Sequence, residues 1–386
     1  MRIAIVACGL TQFGVRSATF RELAAEAGKT VLDDAENLDR SEIDALFVGT
    51  ALPERFVHQG YTSPLVAEQL GLEPRIISRC ELACASGQAA MRAAYSSLAS
   101  HMCEVALVMG IEKMNSDSPE KVQHTLASIL DTEWDAVHGL SAPSFFAMCA
   151  QRHILEYGTT REQMAMVSKK NHGYAMTNQY AQFKKEVTVE EVLNSRVISP
   201  PLTLLECSAV TDGAAAVLMT TEERAKTMTD TPVYIVGHGQ KCAGNLTGNL
   251  HSLSGWASLR QAAGQAYRSA GITPQDIDLA EIHDCFSISE IMEYEGLEFC
   301  VNGEGGKFIE EGRSYVGGDV AVNTRGGLLG VGHPLGATGV AQAIEIVNQI
   351  KGRVPKSRYV KDIKYALSHN LSGNGSVHSV LIYGRD

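Results

Sequence analysis

The sequence is poor in the features that mark nucleic-acid and membrane proteins. Basic residues are outnumbered, 33 Lys and Arg against 44 Asp and Glu, for a formal net charge of −11. A nucleic-acid surface needs a basic stripe that this balance does not offer. A phosphate-bearing ligand remains compatible, since a few Lys, Arg and helix N-termini suffice to hold one. No apolar run reaches the length of a membrane-spanning helix. Met1-Arg-Ile-Ala-Ile-Val-Ala-Cys8 is apolar but short, stops at Gly9 and lacks a cleavage region, so it reads as a buried first strand rather than a signal peptide. Low-complexity tracts are missing, as are CxxC pairs and Cys/His arrays with zinc spacing, so no metal is expected. The nine cysteines are odd in number and scattered. Free thiols of this kind fit a reducing compartment, and the expectation is a cytoplasmic protein.

What is present is chemistry-bearing loops set in an apolar framework. At 386 residues the chain has room for two or three domains and a large core. It is organised around Glu81-Leu-Ala-Cys84-Ala-Ser-Gly-Gln-Ala-Ala90, where a cysteine opens a helix of very small residues. So slim a helix belongs between layers, where neighbouring backbones come close. Its N-terminus, with free N–H groups and the positive end of the helix dipole, favours a thiolate at Cys84. Apolar strands are expected at 3–6, 45–49, 76–79 and 105–109, with a helix over 20–34, an alternation that indicates an α/β fold.

The order then repeats. Ile5-Val6-x-x-Gly9 is echoed by Ile235-Val236-x-x-Gly239, Ala27-Gly28 by Ala263-Gly264, and Glu42-Ile-Asp44 by Asp276-Ile-Asp278. A second small-residue helix runs through Ala337, Gly339, Ala341 and Ala343. Echoes in a common order, about 230 residues apart, imply a duplicated α/β unit. The halves are expected at 1–113 with 209–230, and at 231–386. Between them, 114–208 is polar and rich in helix formers and reads as an inserted lid, its Lys169-Lys170 and Lys184-Lys185 being solvated faces or phosphate contacts.

Three more segments carry candidate chemistry. Glu281-Ile-His283-Asp-Cys285-Phe286 follows a strand, the usual place for an α/β site. Asn323-Thr-Arg-Gly-Gly327 leads into Gly330-Val-Gly-His333-Pro-Leu-Gly-Ala-Thr-Gly339, and Ser368-His-Asn-Leu-Ser-Gly373-Asn-Gly375 lies between apolar runs near the C-terminus. Singly, each has a bland reading: His333 as a turn residue, His283 as a satisfied core histidine, Cys285 as an inert buried thiol. The glycine-rich loop lacks the Lys-Ser/Thr ending of a nucleotide-binding loop. Together, a nucleophilic thiol, two histidines and a second thiol are what acyl transfer through a thioester requires.

With these segments in view the chain resembles the thiolases over essentially its full length. The matching stretches are Cys84-Ala-Ser-Gly87, Asn171-His172, Thr211-Asp-Gly-Ala-Ala-Ala-Val217, His283-Asp-Cys-Phe286 and Gly332-His-Pro-Leu-Gly-Ala-Thr-Gly339. The resemblance implies a five-layered αβαβα fold of two similar halves with an inserted loop domain. Familiar members carry Asn-Glu-Ala-Phe in place of His283-Asp-Cys-Phe286, and a catalytic Cys-x-Gly where this chain has Asn370-Leu-Ser. The sequence is similar instead to the sterol-carrier-protein-type and archaeal acetoacetyl-CoA thiolases, which implies that Cys285 supplies the acid/base thiol.

The roles implied are these. His333 activates Cys84, which takes an acetyl group from acetyl-CoA, and backbone N–H groups of Cys84 and near Gly373 hold the oxyanion. Cys285 then removes a methyl proton from a second acetyl-CoA, with the enolate oxygen held by His333 and a water positioned by His283. The substrates are coenzyme A thioesters, with no bound cofactor. A homodimer or homotetramer is expected, with a possible complex with hydroxymethylglutaryl-CoA synthase and a small zinc-ribbon/OB-fold protein, supplying mevalonate synthesis. Alternatives are thiolysis of longer 3-ketoacyl chains, another condensing enzyme of the same fold, and a non-catalytic lipid-binding or scaffold protein.

Overall fold

The almost wholly apolar Ile3–Leu10 forms strand β1 in the middle of a ten-stranded sheet. In the computed structural model, which describes residues 2–385, the other strands are β2 (Ala45–Gly49), β3 (Ile76–Cys80), β4 (Val105–Glu112), β5 (Gly213–Thr221), β6 (Val233–Cys242), β7 (Leu279–Glu281), β8 (Ala321–Val322), β9 (Tyr365–Ser372) and β10 (Val377–Gly384). The principal helices are α1 (Phe20–Asp34), α2 (Ser86–Ala99), α3 (Ala142–Tyr157), α4 (Arg161–Ala175), α5 (Ala257–Ala270), α6 (Ser287–Gly296) and α7 (Leu335–Ile350). Helix α1 begins where Thr19 and Glu22 cap each other's backbone N–H groups.

The sheet order is β8-β7-β9-β10-β6-β1-β5-β4-β2-β3. Read outward from the β1–β6 pairing, one half runs β1-β5-β4-β2-β3 and the other β6-β10-β9-β7-β8. Strand directions correspond as well: two antiparallel steps followed by two parallel ones in each half. The duplication read from the sequence echoes is therefore present in both order and direction. The halves differ most at one connection. From β4 to β5 the chain runs through 113–212, whereas the equivalent β9–β10 link is the turn 373–376.

Five layers result. Helix α1 covers the outer face of the first half. Helices α2 and α7 lie together between the halves, and α5 and α6 cover the second. The small residues are explained by this central position. A Cβ on Gly87 of α2 would collide with the Gly336 carbonyl of α7, and one on Gly339 would sit 2.7 Å from the Gln88 backbone nitrogen. The echoed Gly9 and Gly239 do the same work in the two halves, letting β1 and β6 press against the carbonyls of Ala27 and Ala262.

Candidate active site

Cys84 sits in a tight turn, Ala83–Ala85, immediately before α2. The preceding residue, Ala83, has φ +44°, a left-handed conformation that side-chain-bearing residues adopt at a cost of roughly 1–3 kcal/mol. It is held there by Ser86, whose Oγ accepts from the Leu82 N–H at 2.9 Å and donates to the Ala83 carbonyl at 2.7 Å. From the neighbouring half, Ser372 Oγ donates to the Leu82 carbonyl at 2.9 Å. The turn thus takes its shape from both halves of the molecule.

Around the thiol stand the groups the sequence singled out. The Cys84 sulfur and a ring nitrogen of each of His283 and His333 lie within 4.8 Å of one another. The two imidazoles meet edge to face at 4.8 Å between centroids. The backbone N–H groups of Gly373 and of Cys84 itself both point at the sulfur. Gly373 adopts φ +60° at the start of the β9–β10 turn, a conformation that suits glycine. Cys285, almost wholly buried, has its sulfur 3.6 Å from Ser289 Oγ and close enough to Cys84 for a charge there to disfavour its own ionisation.

The network assigns the tautomer of His333. Thr338 Oγ1 donates its proton to the Pro334 carbonyl at 2.9 Å, so at 2.7 Å it accepts from His333 Nδ1. Nε2 is left as the unprotonated nitrogen, and it has no hydrogen-bond partner. Burial, reinforced by the Arg325 charge, pushes the His333 pKa down to about 3. Burial also pushes the Cys84 thiol up to about 12, outweighing the two backbone N–H groups that stabilise its anion. Burial thus works against the thiolate that the helix terminus favours.

Cys84, Cys285, His333 and Gly373 open onto a cavity of about 520 Å³, walled mainly by apolar side chains such as Met114, Leu130, Phe146 and Leu335. His283 is fully buried behind that wall, with neither ring nitrogen hydrogen-bonded. The 113–212 insertion forms much of the enclosure, and its Phe146 stacks on Phe286 at 4.6 Å. Of its lysines, Lys170 turns inward, away from the cavity. Lys170 is buried, pairs with Glu290 at 3.0 Å and donates to the Val322 carbonyl at 2.8 Å; exposed Lys185 lies 3.6 Å from Glu191. In the C-terminal segment Leu371 faces the cavity, while Asn370 turns away toward Gln342 of α7.

Sequence reasoning missed the carboxylates that shape the site. Glu112, at the end of β4, accepts from the N–H groups of Ala51 at 2.8 Å and Gly336 at 3.0 Å, and so ties the start of α7 to the first half. Burial raises its pKa to about 7. Asp284 is fully buried and accepts from Leu328 N–H at 2.7 Å and Asn171 Nδ2 at 2.7 Å, which locks the His283–Phe286 loop to the glycine-rich segment and to α4. Among the described residues, Cys84, His283 and His333 are the group of three Cys, His, Asp or Glu side chains close enough to hold a metal ion, a set with soft-metal character.

Comparison with known proteins adds the family context. A model described as the N-terminal domain of thiolase matches residues 3–223, and one described as thiolase C-terminal domain-like matches 239–385. The chain is 41% identical to an acetyl-CoA acetyltransferase of Methanothermobacter thermautotrophicus, over 99% of both chains. It is 33% identical to sterol carrier protein 2 of Bos taurus, over 97% of this chain and 71% of that protein. Among solved structures it superposes on the Ltp2-ChsH2(DUF35) aldolase with a TM-score of 0.85 at 27% identity, covering 100% of this chain and 98% of that one. Human mitochondrial 3-ketoacyl-CoA thiolase in complex with CoA shares the fold, with a TM-score of 0.76 at 16% identity over 100% of this chain and 98% of that chain.

Proposed function

Since the chain belongs to the thiolase family, we propose that it catalyses the reversible Claisen condensation of two acetyl-CoA to acetoacetyl-CoA and CoA, with the acetyl group carried on Cys84. The observation that carries this reading is the convergence on one sulfur of an unprotonated imidazole nitrogen and two backbone N–H groups, with a second thiol alongside. Residues 1–113 with 209–230 and residues 231–386 are the two halves in this reading, and 114–208 is the lid.

In the first stage His333 Nε2 takes the Cys84 proton as the sulfur attacks the acetyl carbonyl. A thiol pushed up beside an imidazole pushed down has no stable ion pair to start from, so this transfer accompanies the attack. The N–H groups of Cys84 and Gly373 receive the oxyanion. The departing CoA thiolate takes the Cys285 proton, leaving a Cys285 thiolate beside protonated His333. Burial makes that thiolate a strong base, suited to removing a methyl proton from the second acetyl-CoA. Protonated His333, with a water held by His283, receives the enolate oxygen. The enolate carbon attacks the acetyl group, and the expelled Cys84 sulfur recovers its proton from His333. General bases typically contribute about 100- to 10,000-fold and a single oxyanion donor about 100- to 1,000-fold.

We further infer a homodimer or homotetramer that works beside a hydroxymethylglutaryl-CoA synthase consuming its product, and a small zinc-ribbon/OB-fold partner. Support for a partner protein is the aldolase of the same fold, in which Ltp2 is paired with ChsH2, a DUF35 protein. A second reading, thiolysis of longer 3-ketoacyl-CoA, is favoured by the size and apolar walls of the cavity. The test supplies free CoA with acetoacetyl-CoA and, separately, longer 3-ketoacyl-CoA esters. Acetyl-CoA from the C4 substrate at the highest kcat/KM supports the first reading, and a maximum at longer chains supports the second. No acetyl-CoA from any of them, with Cys84→Ala indistinguishable from wild type, overturns both and leaves a non-catalytic protein.

A further inference from the structure

The stretch Ser368-His369-Asn370 has no part in the mechanism above, yet it contains a histidine in a chain of buried ionisable groups beneath the site. Glu293 lies on α6, every residue of which is buried although three are glutamates. Its Oε2 accepts the backbone N–H of His283 at 2.7 Å. The same oxygen lies 3.1 Å from His369 Nδ1, within ion-pair distance though off-line for a well-formed hydrogen bond. His369 Nε2 is 3.0 Å from His378 Nδ1, and the two rings stack at 15°. Glu293, His369 and His378 have no solvent exposure.

The two ends of this chain differ in kind. His369 and His378 belong to the antiparallel β9–β10 pair, and β10 in turn pairs with β6 along most of its length. His378 also packs against Trp256 at 5.2 Å. At the other end, His283 and Cys285 sit in a loop between the end of β7 and the start of α6, outside any strand ladder. The Glu293 carboxyl joins that loop to the β9–β10 hairpin. Both histidines are pushed down by burial and are neutral. His369 Nε2 and His378 Nδ1 share one proton, and His369 Nδ1 faces the Glu293 carboxyl.

On the reaction argued above, we propose that Glu293, anchored by His369 and His378, is a positioning residue for the enolate half of the reaction: it sets where His283 stands relative to the acetyl group on Cys84. Acetyl transfer to Cys84 uses His333, Cys285 and the Gly373 N–H, none of which hydrogen-bonds to Glu293, whereas His283 serves the enolate alone, so the two half-reactions separate the effect from general destabilisation. Misplacing a reacting group by about 1 Å costs of the order of 100-fold.

The test uses the full-length enzyme with Glu293→Ala and Glu293→Gln. Label exchange between acetyl-CoA and free CoA reports acyl transfer, and acetoacetyl-CoA thiolysis reports carbon–carbon cleavage. For Glu293→Ala, thiolysis kcat is expected to fall roughly ten- to hundredfold with KM unchanged, while label exchange stays within about threefold of wild type. Glu293→Gln retains an oxygen for the His283 N–H and should restore thiolysis to within about threefold. Equal loss of both half-reactions, loss of neither, or a glutamine variant as impaired as the alanine one overturns the proposal. Should Glu293→Ala not fold, His369→Phe removes the anchor while leaving His283 and Cys285 in sequence, and the same selective loss is required. If wild type itself performs neither half-reaction, the proposed function fails, and that outcome is distinct from failure of the positioning role.

Discussion

His333 and Thr338, five residues apart, are joined by a 2.7 Å contact from Nδ1 to Oγ1, and the hydroxyl's own proton is already committed to the Pro334 carbonyl at 2.9 Å. The hydroxyl therefore decides which imidazole nitrogen is bare. Thr338→Val, close in shape but without an acceptor, should lower kcat/KM for acetoacetyl-CoA thiolysis roughly ten- to hundredfold, a part of the 100- to 10,000-fold that a general base supplies. Thr338→Ser should stay near wild type. Steady-state kinetics of the two variants check this, and equal activity of all three proteins contradicts the tautomer assignment.

The thiol–imidazole pair predicts a pH dependence for alkylation of the resting enzyme. Because burial holds the Cys84 pKa up near 12, its thiolate fraction is small at neutral pH and grows about tenfold per unit as pH rises toward that value. His333, held down near 3, stays neutral across the same range and cannot add a second inflection. The iodoacetamide rate constant at Cys84, followed by mass spectrometry from pH 6 to 10, should climb without levelling. A plateau near neutrality would reveal a preformed thiolate–imidazolium pair.

Packing between the central helices gives a stability prediction. Gly87→Ala drives a methyl group into the Gly336 carbonyl and against Val340. Overpacking of a tight core typically costs about 1–3 kcal/mol. A urea or thermal unfolding midpoint should fall accordingly, and acyl transfer should fall with it, since α2 and α7 carry Cys84 and His333 at their starts. Gly264→Ala on α5, where the only close neighbour is the flexible end of Arg268, should be tolerated.

Much of this architecture was legible in the chain because it is local. The small residues of 85–94 and 337–343 announce a helix that backbones approach, and the strand-end loops around His283 and His333 show their chemistry in residue type alone. Three things stayed hidden. Glu290, Glu293 and Glu295 carry no sign of burial in the sequence, and pairing with Lys170, His283 and His153 from distant sequence makes that burial tolerable. Lys170 looked like a surface cation for the same reason. The desolvation that opposes a Cys84 thiolate was hidden because helix position is read from sequence, whereas desolvation is created by the surrounding tertiary structure.

The two half-sheets place very different chain lengths at the same point: a short turn between β9 and β10, and residues 113–212 between β4 and β5. The short copy holds an amide against the reacting sulfur, where a small error is expensive. The long copy supplies side chains such as Met114, Leu130 and Phe146 to the cavity wall. Division of labour of this kind lets one copy of an ancestral unit stay fixed while the other drifts. Changes confined to the cavity-facing side chains of the insertion can thus reshape the cavity while the Gly373 turn stays fixed.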